Sequence, residues 1–311
     1  MARSCCPKSG SFPVLEVRLK PAPFAYAKPE SVDEALAILA EHGDEAKVLG
    51  GGQSLLPLLN MRLARPSVLV DLGGIAELAG ITSNGSISIG AMTRQVEVEQ
   101  SAEIASALPI LPAALSHVGH AAIRTRGTFG GSIAHADPAA ELPTVFSALE
   151  GEAVIAGQSG TRTVGADDFF TTYFTTSVGD DELLKGVRLR RLTPADRWAF
   201  LEVARRHGDF ALVGVAVVLT TDGDGPDAVC SKARIALSGV ADVPVRAKAA
   251  EAVLEGARLS EQDVIAEAAA VAASAFNPEG DVHASAEYRK EVAQTLVRRA
   301  VAQAIETGAR S

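Results

Sequence analysis

Apolar and polar positions first fall into a helical period, then alternate, then return to a helical period. Ser31-Val-Asp-Glu34 has the form of a capping box, in which Ser31 accepts from the Glu34 N–H and Glu34 reaches back. Leu36, Ile38 and Leu39 continue that helix, and Gly43 stops it. Lys47-Val48-Leu49 predicts a short strand running into Gly50-Gly51-Gly52, and Ser67 to Leu72 predicts a second, buried strand. Ile81 to Ile89 alternates about Asn84-Gly85, the signature of a hairpin with a two-residue turn. A helical stretch from about Thr93 to Val118 is interrupted by Pro109 and Pro112. A second glycine loop, Gly127 to Ser132, follows, and Asp137-Pro138 behind it predicts an N-cap with proline at the first helical position.

The pattern shifts near residue 180. Leu183 to Arg190, Trp198 to Arg205, Leu212 to Thr220 and Ala228 to Val240 suit strands, and Asp222 to Asp227 suits a turn. From Val245 to Ile305 the chain is rich in Ala, Glu and Arg at helical spacing. Strands followed by helices point to a separate α+β domain. The expected division is an N-terminal extension over 1–19, a first domain over 20–180 with subdomains of about 20–72 and 73–180, and a C-terminal domain over 181–311. No internal repeat is evident.

The 311 residues suit two domains, and with 47% hydrophobic and 22% charged residues they suffice for a sizeable core. A formal net charge of −9 argues against nucleic acid, whose phosphates need clustered Lys and Arg. No apolar run is long enough for a transmembrane helix. The stretch Met1 to Val17 makes a poor signal peptide, which leaves the cytoplasm as the expected location. Met1 to Glu16, with little periodicity, reads as an extension or a misassigned start with Val17 as first codon. Cys5, Cys6 and Cys230 form an odd set without CxxC, which argues against a disulfide framework and against an iron–sulfur cluster or zinc held by this chain alone.

The two glycine loops carry the candidate chemistry. A dinucleotide brings a pyrophosphate that convergent backbone N–H groups can hold, and glycine lets the backbone approach closely. A following helix adds partial positive charge. Neither loop is specific by itself. Leu55 stands where a Rossmann fingerprint wants a third small residue, and GxxxxGK[ST] is absent. Spacing alone leaves ligand binding and tight turns beside a packed strand both open.

Three motifs in order add a resemblance. Lys20-Pro-Ala-Pro-Phe24, then Gly50 to Pro57 with Met61-Arg62-Leu63, then Ile123 to Pro143 resemble the flavin-binding medium subunit of carbon monoxide dehydrogenase and the FAD domain of the xanthine dehydrogenase family. Phe200 to Leu212 is similar to the start of that family's C-terminal flavoprotein domain. The resemblance runs from about Lys20 to the C-terminus. It implies an α+β protein: a PCMH-type FAD-binding domain of two α/β subdomains, then a domain with an antiparallel β-sheet and a three-helix bundle. It implies FAD here, with molybdopterin in a large partner subunit and two 2Fe–2S clusters in a small one, arranged as a dimer of heterotrimers.

By the same resemblance, Val48, Leu49, Gly50, Gly51, Gly52, Gln53, Ser54 and Leu55 would wrap the pyrophosphate and adjoining flavin. Thr128, Phe129, Gly130, Gly131 and Ser132 would give a second set of backbone contacts. Glu141 falls on an aspartate that contacts the adenosine part of FAD. Leu184 would line the isoalloxazine or adenine pocket, and Val118, His135 and Asp137 belong to the same surroundings. Ser132 and His135 each replace a common Asn, and a lysine of some relatives near Leu201 or Glu202 is missing. Covalent flavoproteins of this broad fold use a His beside the first loop. Gln53-Ser54 stands there instead, which implies noncovalent FAD.

Other residues have plainer readings. Arg124 and Arg126 suit phosphate pairing or a solvated loop about equally. His117 and His120 read as surface or packing histidines rather than metal ligands. Asp222, Asp224 and Asp227 read as a turn, since a calcium loop would want Glu where Ala233 stands. Arg205, Arg206, Gly208 and Asp209 suit a strand end with an ion pair or a flavin-edge motif. Tyr173 and Thr171 to Thr176 read as loop packing, and Arg298-Arg299 as an exposed helix face. The expected function is electron transfer through FAD, from clusters in a partner to an external acceptor, with no proton-transferring catalytic residue in this chain. The alternatives are a stand-alone flavin reductase of the same fold and a non-enzymatic assembly module.

Overall fold

The computed structural model describes residues 20–225 and 227–308. The expectations for Cys5, Cys6 and the 1–19 extension lie outside these residues. The first layer is a three-stranded parallel sheet with Val68–Asp71 between Ala25–Ala27 and Ala46–Leu49. Parallel neighbours need a crossover, and the helix Val32–His42 supplies it. Ser31 Oγ accepts from Glu34 N at 3.2 Å as expected, while Glu34 accepts from Glu30 N at 2.8 Å instead of from the Ser31 N–H that a capping box would use. Val32, Ala35, Leu36 and Leu39 bury one stripe of this helix against Val68, Val70 and Leu72.

The second layer is a five-stranded antiparallel sheet. Its order is Ile81–Asn84, Ser86–Gly90, Leu183–Arg190, Glu152–Gly157 and Gly160–Gly165. The expected hairpin forms, but its register pairs Asn84 with Ser86, so the turn centres on Gly85, at φ 78°, rather than on the two residues Asn84-Gly85. The expected helical stretch is broken into Gln95–Gln100, Ala102–Ala107 and Ile110–Leu115, at Ser101 and at Pro109, while Pro112 sits within the first turn of the third helix. Leu183–Arg190, expected to open the C-terminal domain, is instead the central strand here, so the chain leaves this layer only after Arg190. That strand is buried along most of its length, and sequence distance from its partners hid its membership.

The third layer is antiparallel, in the order Asp196–Ala204, Ala211–Asp222, Val229–Ser238 and Val245–Arg246. Helices Lys248–Leu254, Gln262–Ser274 and Ala286–Gly308 cover it. Its long strand carries no polar side chain from Ala211 to Leu219 because both faces are buried there. Val213, Val215, Val217 and Leu219 pack toward the helices, while Ala216 and Val218 join the core of the second layer. A polar clamp closes the same junction. Glu150 pairs with Lys232 Nζ at 2.7 Å and Arg234 Nε at 2.7 Å, and lies 3.6 Å from Arg246. Burial works to raise the Glu150 carboxyl, but the hydrogen bonds from Lys232 and Arg234 outweigh it and hold the pKa at about 2. Among the described residues, no helix is long and apolar enough to cross a membrane.

Candidate functional site

The two glycine loops meet at the junction of the first and second layers. Strand Ala46–Leu49 delivers Gly50 to Ser54, and helix Leu55–Asn60 takes the chain away. A Cβ on Gly51 would overlap the carbonyl oxygen of Arg126 and stand 2.7 Å from Cα of Gly127. Gly50 also lies near the second loop, less tightly, where a Cβ would come to 3.0 Å from Thr128 Oγ1. Only a residue without a side chain fits between these backbones.

The loops differ in what their N–H groups do. Among the described residues, the backbone N–H groups of Gly51, Gly52, Gln53 and Ser54 have no acceptor. Gly52 is buried and left-handed at φ 74°, and Ser54 has right-handed backbone without a side-chain cap bond. A left-handed residue beside right-handed ones turns successive N–H groups to one side and makes a concave anion site. A buried N–H without an acceptor costs about 1–3 kcal/mol, so it calls for a partner in the working state. These orphaned donors fit the pyrophosphate of a dinucleotide.

The second loop is closed by comparison. Thr128 caps the helix Phe129–His135, and its Oγ1 accepts from Gly131 N at 3.1 Å. Phe129 N donates to Thr93 O, Gly130 N to Ala91 O and Ser132 N to Thr128 O. The expected second set of free backbone donors is therefore largely spent inside the chain. Residues 129–132, expected as loop, are the first turn of a helix. Asp137 corrects a further expectation. It caps no helix, because its Oδ1 accepts from Ala139 N at 2.9 Å in a tight turn, and the next helix, Glu141–Ala148, starts after Ala140.

Beyond His135, acidic groups gather. Glu141 is only 6% exposed, and burial pushes its pKa up to about 8, with Glu202 adding to the rise. Burial also raises Asp137 and lowers His135. His117 Nδ1 donates to Glu202 Oε1 at 3.2 Å, and that bond raises the imidazole above the ordinary histidine range. The ring of His117 lies 5.5 Å from that of Phe200, tilted by 57°. The His135 ring lies 5.0 Å from Phe174, whose backbone is left-handed at φ 52°.

The remaining predicted positions spread around this junction. Leu184 is buried in the core of the second layer beside a bulge between Leu184 and Gly186. Val118 packs against the same core, and its carbonyl accepts from Arg124. Arg124 also pairs with Glu99 at 2.7 Å, so it braces the loop rather than reaching for phosphate. Arg126 is exposed and makes no ion pair among the described residues. Arg205 pairs with Asp209 at 3.6 Å. The His120 ring lies 6.2 Å from that of His207. Sequence reasoning left Glu202 and His117 out of the site. One signal was present: Glu202 sits two residues beyond Phe200 on one strand, so it shares an inward face with an aromatic.

The comparisons agree with this architecture. Residues 22–191 match the FAD binding domain in molybdopterin dehydrogenase, and residues 198–304 match the CO dehydrogenase flavoprotein C-terminal domain. The alpha subunit of the 6-hydroxypseudooxynicotine dehydrogenase complex of Paenarthrobacter nicotinovorans is 42% identical, over 92% of this chain and 96% of its own length. Carbon monoxide dehydrogenase from Hydrogenophaga pseudoflava, in a form lacking the Mo-pyranopterin moiety, superposes with a TM-score of 0.88 at 36% identity, over 92% of this chain and 99% of the other. Quinoline 2-oxidoreductase from Pseudomonas putida 86 superposes with a TM-score of 0.86 at 38% identity, over 93% and 99%. The chain belongs to the family of FAD-binding medium subunits of the molybdenum hydroxylases.

Proposed function

We propose that this chain relays electrons through noncovalently bound FAD, receiving them from 2Fe–2S clusters of a small partner subunit and passing them to an external acceptor. Substrate is oxidised at molybdopterin in a large subunit, and the assembly is a dimer of heterotrimers in the cytoplasm. The observation that carries this reading is the row of unpartnered N–H groups from Gly51 to Ser54. FAD, when bound, supplies the redox chemistry, accepting electrons singly and releasing them in pairs.

The chain's own residues bind and orient. Gly51 to Ser54 hold the pyrophosphate, with Val48, Leu49, Gly50 and Leu55 shaping the approach. Thr128 to Ser132 form the wall that fixes the first loop. Glu141, protonated near neutral pH, donates a hydrogen bond toward the adenosine part. Val118, Leu184, His135 and Asp137 complete the surroundings. Gln53 donates to Gly51 O at 3.2 Å and no histidine adjoins the loop, which supports a noncovalent cofactor.

The test uses the complex purified from its native host. It should show flavin absorption near ~450 nm, release FAD on acid precipitation, and bring down molybdenum- and iron-bearing chains. Absence of flavin after reconstitution sinks the cofactor assignment. A flavin-loaded chain that purifies alone sinks the relay.

A further inference from the structure

One buried carboxylate oxygen is left over. Glu202 has a side chain only 4% exposed, and while Oε1 accepts from His117, Oε2 has no hydrogen-bond partner. No Lys or Arg pairs with Glu202 among the described residues. A carboxylate kept from water ordinarily finds a donor for each oxygen, so one is missing from the chain by itself.

We propose that Glu202 is a cofactor-binding residue, whose Oε2 accepts from a hydroxyl or N–H of bound FAD while His117 holds the carboxylate in position. The inference rests on the flavin reading above.

The partner must be a donor, because an ionised carboxylate only accepts. FAD offers several donors: the ribityl and ribose hydroxyls, the adenine amino group and the N3–H of the flavin ring. It must also be uncharged. No Lys or Arg among the described residues pairs with Glu202, and a carboxylate without such a partner repels phosphate. The pyrophosphate therefore goes to the open N–H groups of the first loop, and the donor-bearing part goes to Glu202. Helix Phe129–His135 starts against the first loop and leads toward Asp137 and Glu141, and seven residues rise about 10 Å. Opposite polarity at the two ends fixes which way the cofactor lies.

The test is FAD affinity, not turnover. The full-length chain, purified with its co-expressed subunits and stripped of flavin, is titrated with FAD and separately with FMN. Glu202→Ala is expected to weaken FAD about tenfold or more, as loss of a charged hydrogen bond does. Glu202→Gln keeps one acceptor oxygen and the shape, and should fall between. It also keeps the test alive if the alanine variant does not fold. His117→Ala is expected to lose about threefold through misplacement of the carboxylate, and His117→Asn, which retains an N–H donor at that position, to recover most of it. Weakening of FMN and FAD alike places the donor on the flavin half. Weakening of FAD alone places it on the adenosine half. A wild-type complex that takes up FAD, beside Glu202 variants that bind it within twofold, overturns this proposal and leaves the flavin reading intact. A wild-type complex that takes up no FAD overturns both.

Discussion

The two glycine loops look alike in sequence and differ in what they leave open. Gly50 to Ser54 ends a parallel strand and keeps four consecutive N–H groups without an acceptor. Gly127 to Ser132 spends nearly all of its N–H groups on Ala91, Thr93, Ile123 and Thr128. The first is built to receive something and the second is built to hold the first. Glycine serves close approach in both, but in the second the approaching group is the protein's own backbone. A glycine-rich motif therefore reports only that something comes near; the hydrogen-bond accounting says what.

The largest expected effect on flavin content follows from breaking their contact. Gly51→Ala places a methyl on the Arg126 carbonyl, and neither backbone can yield without separating the loops. Flavin content per chain, read from absorption, should fall below about a tenth of wild type, with a stability loss on the order of 2–4 kcal/mol. Full flavin occupancy in that variant would show that the loops need not touch.

Glu141 tests the far end of the crevice. Its carboxyl titrates at about 8 in the fold against an ordinary 4.5, so the folded protein binds the extra proton between those values. Stability is undiminished below pH 4.5 and is lost as pH rises through 8. The full change corresponds to on the order of 3–5 kcal/mol for the flavin-free chain. Unfolding midpoints between pH 6 and 9 should fall in wild type and flatten in Glu141→Gln. Equal slopes in the two proteins would exclude a raised Glu141.

The second loop should fail by a different readout. Thr128→Ala removes the cap of Phe129–His135 and should cost about 1 kcal/mol in denaturant unfolding while flavin stoichiometry stays near one. The smallest effect is the mirror case. Ser54 makes no cap bond, so Ser54→Ala should leave the melting temperature of the flavin-free chain within about 1 °C and weaken FAD by about twofold to fivefold. If Thr128→Ala lowered affinity as much as stability, the division of labour between the loops would fail.

Local chemistry was legible in the sequence wherever it was confined to neighbours. The Ser31–Glu34 cap, the hairpin about Gly85 and the hairpin across Asp222 to Asp227 all formed, since a few adjacent residues decide them. The last sheet followed from strand-like stretches that match Asp196–Ala204, Ala211–Asp222 and Val229–Ser238, separated by turn residues. What escaped depends on distant chain. Leu183–Arg190 reads as a buried strand, but nothing within it says that its neighbours are Ser86–Gly90 and Glu152–Gly157. Asp137-Pro138 has the letters of a helix cap, yet its carboxylate turned to Ala139. Glu202 became visible only when His117, far away in sequence, came to its oxygen.

That central strand also sets a timetable. Gly186 pairs with Gly90, so the sheet beneath the crevice waits for roughly a hundred residues to be made before its middle strand arrives, and pairing over such a span is slow. During synthesis the hairpin Ile81–Gly90 stands with an open edge, and the pocket for the cofactor has no floor. Loading therefore waits at least until Arg190 has been made. A ribosome stalled before residue 183 would carry a hairpin seeking another strand, which makes this interval the point where a chaperone has most to protect.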